Sequence, residues 1–366
     1  MKRLWILMLC CLLVMTAVSC DSEKNKKKIG IALIPTEQSI IDDHSFNSGA
    51  LEGIKRYSEE HAVEYEVYVP SAKNEKEYLA AIEKAAEDGA KIIITPGFDF
   101  ETTVFEAQNK HPDVKFVLID GAPNNGKDGE ERVEKIAENT YSVMFAEEQA
   151  GFLAGYSAVK DGFRKLGFLG GREFPTVVCF GYGFIQGAEY AAGELNLKDK
   201  EIDIVYGYCG DFLTNAKNQT KASSWYNSGT DVIFACGGAI GFSVMAAAES
   251  YQDKYVIGVD LDQCEDSERV ITSSLKMIGN AVYSAIDSYY KNQFPGGKSV
   301  HLGINEDGIG IAMDTARFKS FSKDDYQKIY EALKTDRNGI RTGIDNDFSV
   351  VFSELDMKHV KITEKH

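Results

Sequence analysis

The sequence predicts an α/β protein built from two similar lobes with parallel sheets and a cleft between them, and three observations carry that expectation. Short apolar runs bounded by Gly, Pro or Asp alternate with longer helical patterns, the signature of a parallel sheet covered by helices. The second half echoes the first at a constant offset. Gly89, Ile94, Gly97 and Asp120 correspond to Gly229, Phe234, Gly237 and Asp260, each about 140 residues later, and in both halves a strand ending in Gly leads through a helix to a strand ending in Asp. A length of 366 residues also favours two such units over one.

In chain order, the first 28 residues stand apart from that body. Met1-Lys2-Arg3 form a positive n-region, Leu4 to Val18 an apolar run, and "AVSC" a small-residue cleavage site ending in Cys20. The pattern resembles a bacterial lipoprotein signal, residues 1–19, with Cys20 as the lipid-modified first mature residue; the alternative is an ordinary secretory signal. "CDSEKNKKK", residues 20–28, is charged and lacks large apolar side chains, so it reads as a flexible tether. The body then begins: "KIGIALIP" and "SGALEGIKRYSEEH", "AKIIITPG" and "TTVFEAQNKH", then "VKFVLIDG" alternate strand with helix. After residue 141 the strands continue with "KLGFLGG", "IDIVYGY", "DVIFACGG" and "YVIGVD". No pattern assigns the tail from about residue 314 to 366.

In open α/β sheets, ligands sit outside the carboxyl ends of the strands. Those ends are Thr36-Glu37, Phe98-Asp99, Asp120, Gly170-Gly171, Tyr208 to Phe212, Gly237-Gly238 and Asp260 to Gln263, where carboxylates, glycines and aromatics recur. Just past the first lies "IDDHSFNSG". Its Asp, Ser and Asn suit a helix N-terminus, where side-chain oxygens take up orphan N–H groups. Phe46 does not follow from capping. It is either a hydrophobic staple onto the following helix or a platform on which a flat ligand stacks.

"IDDHSFNSGALEG", "HPDVKFVLIDG", "FAEEQAGFLAGY", "LGFLGG", "DVIFACGGAIGFSVMAAAE", "YVIGVDLDQ" and "VITSSLKMIGNAVYSAI", in that order, resemble the basic membrane protein family of bacterial lipoproteins, nucleoside-binding proteins that serve ABC importers. The resemblance runs from about residue 29 to 312. It implies a type 1 periplasmic-binding-protein fold: two Rossmann-like lobes with parallel sheets, joined by a three-segment hinge near Tyr141, Ser273 and Glu306. Lobe 1 is then 29–141 plus 274–305, and lobe 2 is 142–273 plus 306–366. It further implies ligand contacts from Phe46, Asn47, Asp120, Phe212, Gly238, Asp260 and Lys276, with two aromatics sandwiching a purine and carboxylates holding the ribose. Glu37 stands where the family usually carries Asp, with Ser39 and Ile40 in place of Gly-Gly, which marks base or sugar preference as the property to have shifted.

Each residue also has a structural use. Asp120 and Asp260 can be turn acids, Asn47 an N-terminal cap, and Lys276 the partner of a hinge acid. The second ring can come from Phe174, Phe180 or Phe184 instead of Phe212. "GYGFIQG" is a loose match to a dinucleotide loop, with no acidic ribose partner clearly placed. No G-x-x-x-x-G-K-[ST] loop is present, so ATP hydrolysis belongs to a partner. Cys179, Cys209, Cys236 and Cys264 sit in or beside apolar runs without C-x-x-C spacing, so they read as buried free thiols, although disulfides are open outside the cytoplasm. The six histidines are scattered and read as solvated surface.

A formal net charge of −16 argues against nucleic acid, which requires a basic footprint. No dense acidic cluster supports an activated water, so binding without chemistry is expected, with no metal and no cofactor. The expected protein is an extracytoplasmic, lipid-anchored, monomeric receptor that delivers a purine nucleoside to an ABC permease and its ATPase. The alternatives are a sugar or autoinducer receptor of the same fold and a nucleoside hydrolase.

Overall fold

Strands whose residues are almost all apolar need cover on both faces, and the chain supplies it with helices between successive strands. The computed structural model describes residues 29–36, 44–347, 355 and 357–365. The signal segment, Cys20, the tether and Glu37 lie outside the described residues. The first half runs β1 (Ile31–Leu33), α1 (Phe46–His61), β2 (Tyr65–Val67), α2 (Glu75–Glu87), β3 (Ile92–Pro96), α3 (Glu101–Lys110), β4 (Lys115–Ile119) and β5 (Thr140–Phe145). Then follow α4 (Glu147–Lys160), β6 (Lys165–Gly170), α5 (Pro175–Glu194), β7 (Ile202–Tyr208), α6 (Ala216–Asn227), β8 (Val232–Cys236), α7 (Ile240–Ala248), β9 (Tyr255–Asp260) and β10 (Val270–Lys276). The chain closes with α8 (Ile278–Tyr290), β11 (Lys298–Leu302), β12 (Ile309–Ile311), α9 (Lys323–Lys334) and β13 (Val360–Glu364).

Two sheets result, ordered β11-β5-β4-β3-β1-β2 and β12-β10-β9-β8-β6-β7-β13. Their pairings are parallel except that β12 runs antiparallel to β10. Every residue of β3 and of β8 is buried, as a central strand covered on both faces demands. The internal echo extends to the backbone. Gly89 and Gly229 have φ 102° and 104°, Gly97 and Gly237 have 109° and 157°, and Asp120 and Asp260 have 55° and 66°.

Three connections join the sheets, after β5, after β10 and between β11 and β12. They fall at Ala146, Met277 and 303–308, so the first two lie a few residues beyond the expected Tyr141 and Ser273. The reason is register: β5 stays paired with β11 through Phe145, and β10 stays paired with β9 and β12 through Leu275 and Lys276. The unassigned tail contributes α9, opened by a capping box of Ser322 and Asp325, and β13, which extends the second sheet beside β7.

"GYGFIQG" is not a loop but the buried face of α5. A Cβ at Gly183 would lie 1.9 Å from the Glu148 carbonyl oxygen, and one at Gly151 would lie 2.1 Å from the Phe180 carbonyl oxygen. Helices α4 and α5 therefore pack backbone against backbone, which fixes the start of α4 beneath the cleft. Cys179, Cys209, Cys236 and Cys264 are free thiols, the last three buried. Among the described residues no helix is long and apolar enough to cross a membrane.

Candidate functional site

The carboxyl ends of both sheets face one cavity of about 120 Å³. Phe46, Asn47, Asp120, Phe212, Gly238, Asp260 and Lys276, which the sequence singles out from six separate places, all line it. The cleft is closed. Ser45 donates to Asp260 Oδ2 at 2.6 Å, His44 Nδ1 meets Asp266 Oδ1 at 2.7 Å, and the rings of Phe98 and Phe174 approach to 3.8 Å, each pair bridging the two halves.

Asp120, just after β4, and Asp260, the last residue of β9, are in the left-handed backbone region, a conformation that Asp tolerates better than most residues. Each terminates its strand sharply and sits in the cavity wall. Lys276, at the end of β10, is 2 % exposed. Its ammonium bonds Asp120 Oδ2 and, at 2.8 Å, Glu147 Oε1, and lies 5.2, 4.9 and 5.9 Å from the ring centres of Phe46, Phe145 and Phe180. The hinge-acid partner that the sequence left open for Lys276 is thus present. Burial alone would lower the lysine's pKa, but Asp120 and Glu147 override it and hold the ammonium charged. Burial raises the Asp120 carboxyl against the pull of Lys276. Its Oδ1 is buried with no hydrogen-bond partner, so this acceptor is available to a donor in the cavity.

The helix start differs from the capping expectation. Ser45 occupies the N-cap of α1 without a side-chain cap bond, because its hydroxyl reaches across to Asp260 instead. Phe46 is half-buried: it packs on the core and also lines the cavity, so staple and wall are the same ring. Among the candidates for a second ring, Phe184 is fully buried between Phe168 and Phe234, which removes it. Phe180 and Phe212 line the cavity. Phe174 stacks on Phe212 at 6.4 Å and 12°, with the Arg172 guanidinium 4.2 Å from the Phe174 ring centre.

Glu147 and Ser45 were not singled out by the sequence reading. Glu147 was visible in "FAEEQAG", but an acid in the first turn of a helix reads as a complement to the helix dipole. Among the described residues no cluster of His, Cys, Asp and Glu is arranged to hold a metal ion.

Two mostly parallel sheets, three connections and a cleft of strand ends define the periplasmic-binding-protein type of fold. Solved structures agree on the fold. An ABC solute-binding protein from Aeropyrum pernix K1 superposes with a TM-score of 0.69 at 21% identity, over 88% of this chain and 95% of that one. One from Conexibacter woesei gives 0.66 at 20% identity, over 87% and 99%. The chain belongs to the Bmp family, described as ABC transporter substrate-binding protein PnrA-like, whose pattern matches residues 32–341. It is 33% identical over 296 residues to basic membrane protein B of Borreliella burgdorferi, covering 79% of this chain and 82% of that one. It is 28% identical over 307 residues to the ABC transporter nucleoside-binding protein BmpA of Lactococcus lactis, covering 78% and 82%. It is therefore a substrate-binding protein and not an enzyme.

Proposed function

We propose that the protein captures a purine nucleoside in the closed cleft and delivers it to an ABC permease and its ATPase, working as a monomer on the extracytoplasmic face of a membrane to which Cys20 is lipid-linked. The observation that carries the ligand class is the pairing of aromatic walls, Phe46 with Phe212 or Phe180, with the strand-end acids Asp120 and Asp260. Rings accept a flat base by stacking, and a carboxylate accepts two hydroxyl donors at once, which suits the vicinal diol of a ribose. The name of the Lactococcus lactis relative points the same way.

The charge balance favours a neutral ligand. Lys276 is spent on two carboxylates, and Lys73 at the cavity wall lies 3.5 Å from Asp99. A phosphate would meet Asp120 and Asp260 without a surplus of cations, and like charges repel strongly in a closed cleft. The test is mass spectrometry of ligand carried through purification, followed by calorimetry with inosine, guanosine and their 5′-monophosphates. The nucleosides should bind at micromolar concentration or below and the monophosphates more weakly. A monophosphate that binds more tightly than its nucleoside would refute the reading.

A further inference from the structure

The charged groups beneath the cleft do not balance. Asp120, Glu147 and Lys276 are 6, 4 and 2 % exposed, and one ammonium serves both carboxylates. With all three ionised the cluster carries one net negative charge, and Asp260 stands close enough to act on the same lysine. Water in an open cleft screens that excess. A neutral ligand that fills the cleft removes the water and leaves the excess charge in a poorly polarisable surrounding, where binding a proton is the least costly relief.

The two carboxylates differ in where that proton would go. Asp120 lines the ligand cavity, and a ligand donor at its free Oδ1 would stabilise the ionised form. Glu147 sits one step behind, on the far side of Lys276, and lines a second cavity of about 560 Å³ at the hinge. Glu148, Cys179, His301 and Arg341 share that cavity, and the exposed His301 opens it to solvent. Glu147 thus touches the binding machinery on one side and has a route for protons on the other.

We propose that Glu147 is a positioning residue for ligand capture: it holds Lys276 beneath the cleft and takes up a proton through the hinge cavity when a neutral ligand fills the site, so that capture is proton-coupled. The proposal rests on the cleft being the site of an uncharged nucleoside. In the closed cleft, burial pushes the Glu147 carboxyl up to about 8; Lys276 opposes that rise and the Asp120 charge adds to it. Arg341, the permanent cation of the hinge cavity, is engaged by Asn305 and by the Leu333 and Lys334 carbonyls, and Lys276 is the cation that bonds Glu147. Burial holds Cys179 of α5 and Cys236 of β8 as thiols, burial raises Glu148 on its own helix, and His301 of β11 acts on Asp120 and Glu148. In an open, hydrated cleft the carboxyl returns toward its ordinary range. Between that range and pH 8, closure over a ligand binds a proton, and affinity falls as pH rises through the window.

The test is calorimetry of inosine and guanosine binding from pH 6 to pH 9 in two buffers of different ionisation enthalpy. The wild type should take up as much as one proton per nucleoside near pH 7, lose affinity by at most about tenfold per pH unit, and level off above pH 8. Glu147→Gln should bind with no proton uptake and a flat pH profile, whereas Glu148→Gln should behave as wild type. As a measurement that needs no variant, infrared spectra of nucleoside-bound protein carrying ¹³C-carboxyl glutamate should show a protonated glutamate at pH 7. Binding without buffer dependence, linkage that survives in Glu147→Gln, or no protonated glutamate would overturn this inference and leave the ligand reading intact. Failure of both nucleosides to bind at any pH would overturn the ligand reading, and this inference with it.

Discussion

Removing the cation from the buried cluster should destabilise the protein in a way that depends on pH. In Lys276→Met the stem is replaced at similar volume, but Asp120 and Glu147 lose the ammonium that both of them touch. Breaking a buried pair by deleting one partner costs about 3–5 kcal/mol, because the remaining charge is left uncompensated. In the closed, nucleoside-filled form Glu147 carries a proton below pH 8, since burial raises its carboxyl to about 8. The burden of the substitution therefore falls on Asp120, which must now also bind a proton in the folded state and releases it on unfolding. A folded state that binds one more proton than the unfolded state loses stability with rising pH, by about 1.4 kcal/mol per unit. In the variant Asp120 loses the pull that Lys276 exerts against its burial, so its share of that slope reaches further up in pH than in the wild type. Urea denaturation of the nucleoside-bound proteins at pH 5, 6.5 and 8 measures the difference, which should widen with pH by up to about 4 kcal/mol across the series. A variant as stable as the wild type at pH 8, or a deficit that does not change with pH, would refute the ion-cluster argument.

Phe46→Ala should weaken nucleoside binding by roughly 1–3 kcal/mol, about tenfold to a hundredfold, with the fold intact; unchanged affinity with a sharply lower melting temperature would make the ring a staple alone. Asp260, which holds Ser45 across the cleft, should also read the ribose hydroxyls, so 2′-deoxyinosine should bind at least about tenfold more weakly than inosine, and Asp260→Ala should largely erase that difference. Equal affinity of the wild type for the two nucleosides would remove Asp260 from this role. Cys20→Ser should shift the protein out of the membrane fraction or leave the signal uncut, as read by fractionation and intact-mass measurement; recovery of the same lipidated product would remove Cys20 as the anchor.

The repeat was legible because it is local. Gly97 and Gly237, and Asp120 and Asp260, sit at strand ends where the chain must turn, and their positive φ values explain why Gly and Asp recur at the same offset. Two of the three sheet connections lie a few residues past the positions that the family resemblance implied, where β5 and β10 stay paired with their neighbours. Ser273, Ser274 and Lys276 in β10 are polar yet buried, so a pattern of apolar residues stops before that strand does, whereas β5 runs apolar to its end at Phe145. β13 was invisible for a related reason. It is an edge strand of alternating exposure whose register is set by β7, more than 150 residues earlier in the chain.

The site was legible one strand end at a time, and what escaped was the pairing between ends. Ser45 and Asp260 are 215 residues apart, and Glu147 and Lys276 are 129 apart. No spacing rule links them: the first contact is made by the lobes closing on each other, and the second joins the start of α4 to the end of β10 within the second lobe. This also resolves the two uses of Phe46. A staple needs the ring on the core, and a platform needs it on the cavity; the helix start delivers both because Ser45 before it is turned to the opposite lobe and does not cap its own helix. The Phe46 ring centre then lies 5.2 Å from an ammonium held by two carboxylates, so the aromatic wall, the acids and the hinge form one connected structure. A ligand stacked on Phe46 would therefore act on Lys276 through the ring as well as through Asp120. On that argument Phe46→Leu, which keeps the apolar packing and removes the π face, should reduce affinity and leave the urea midpoint close to that of the wild type. A parallel fall in both would return Phe46 to the core.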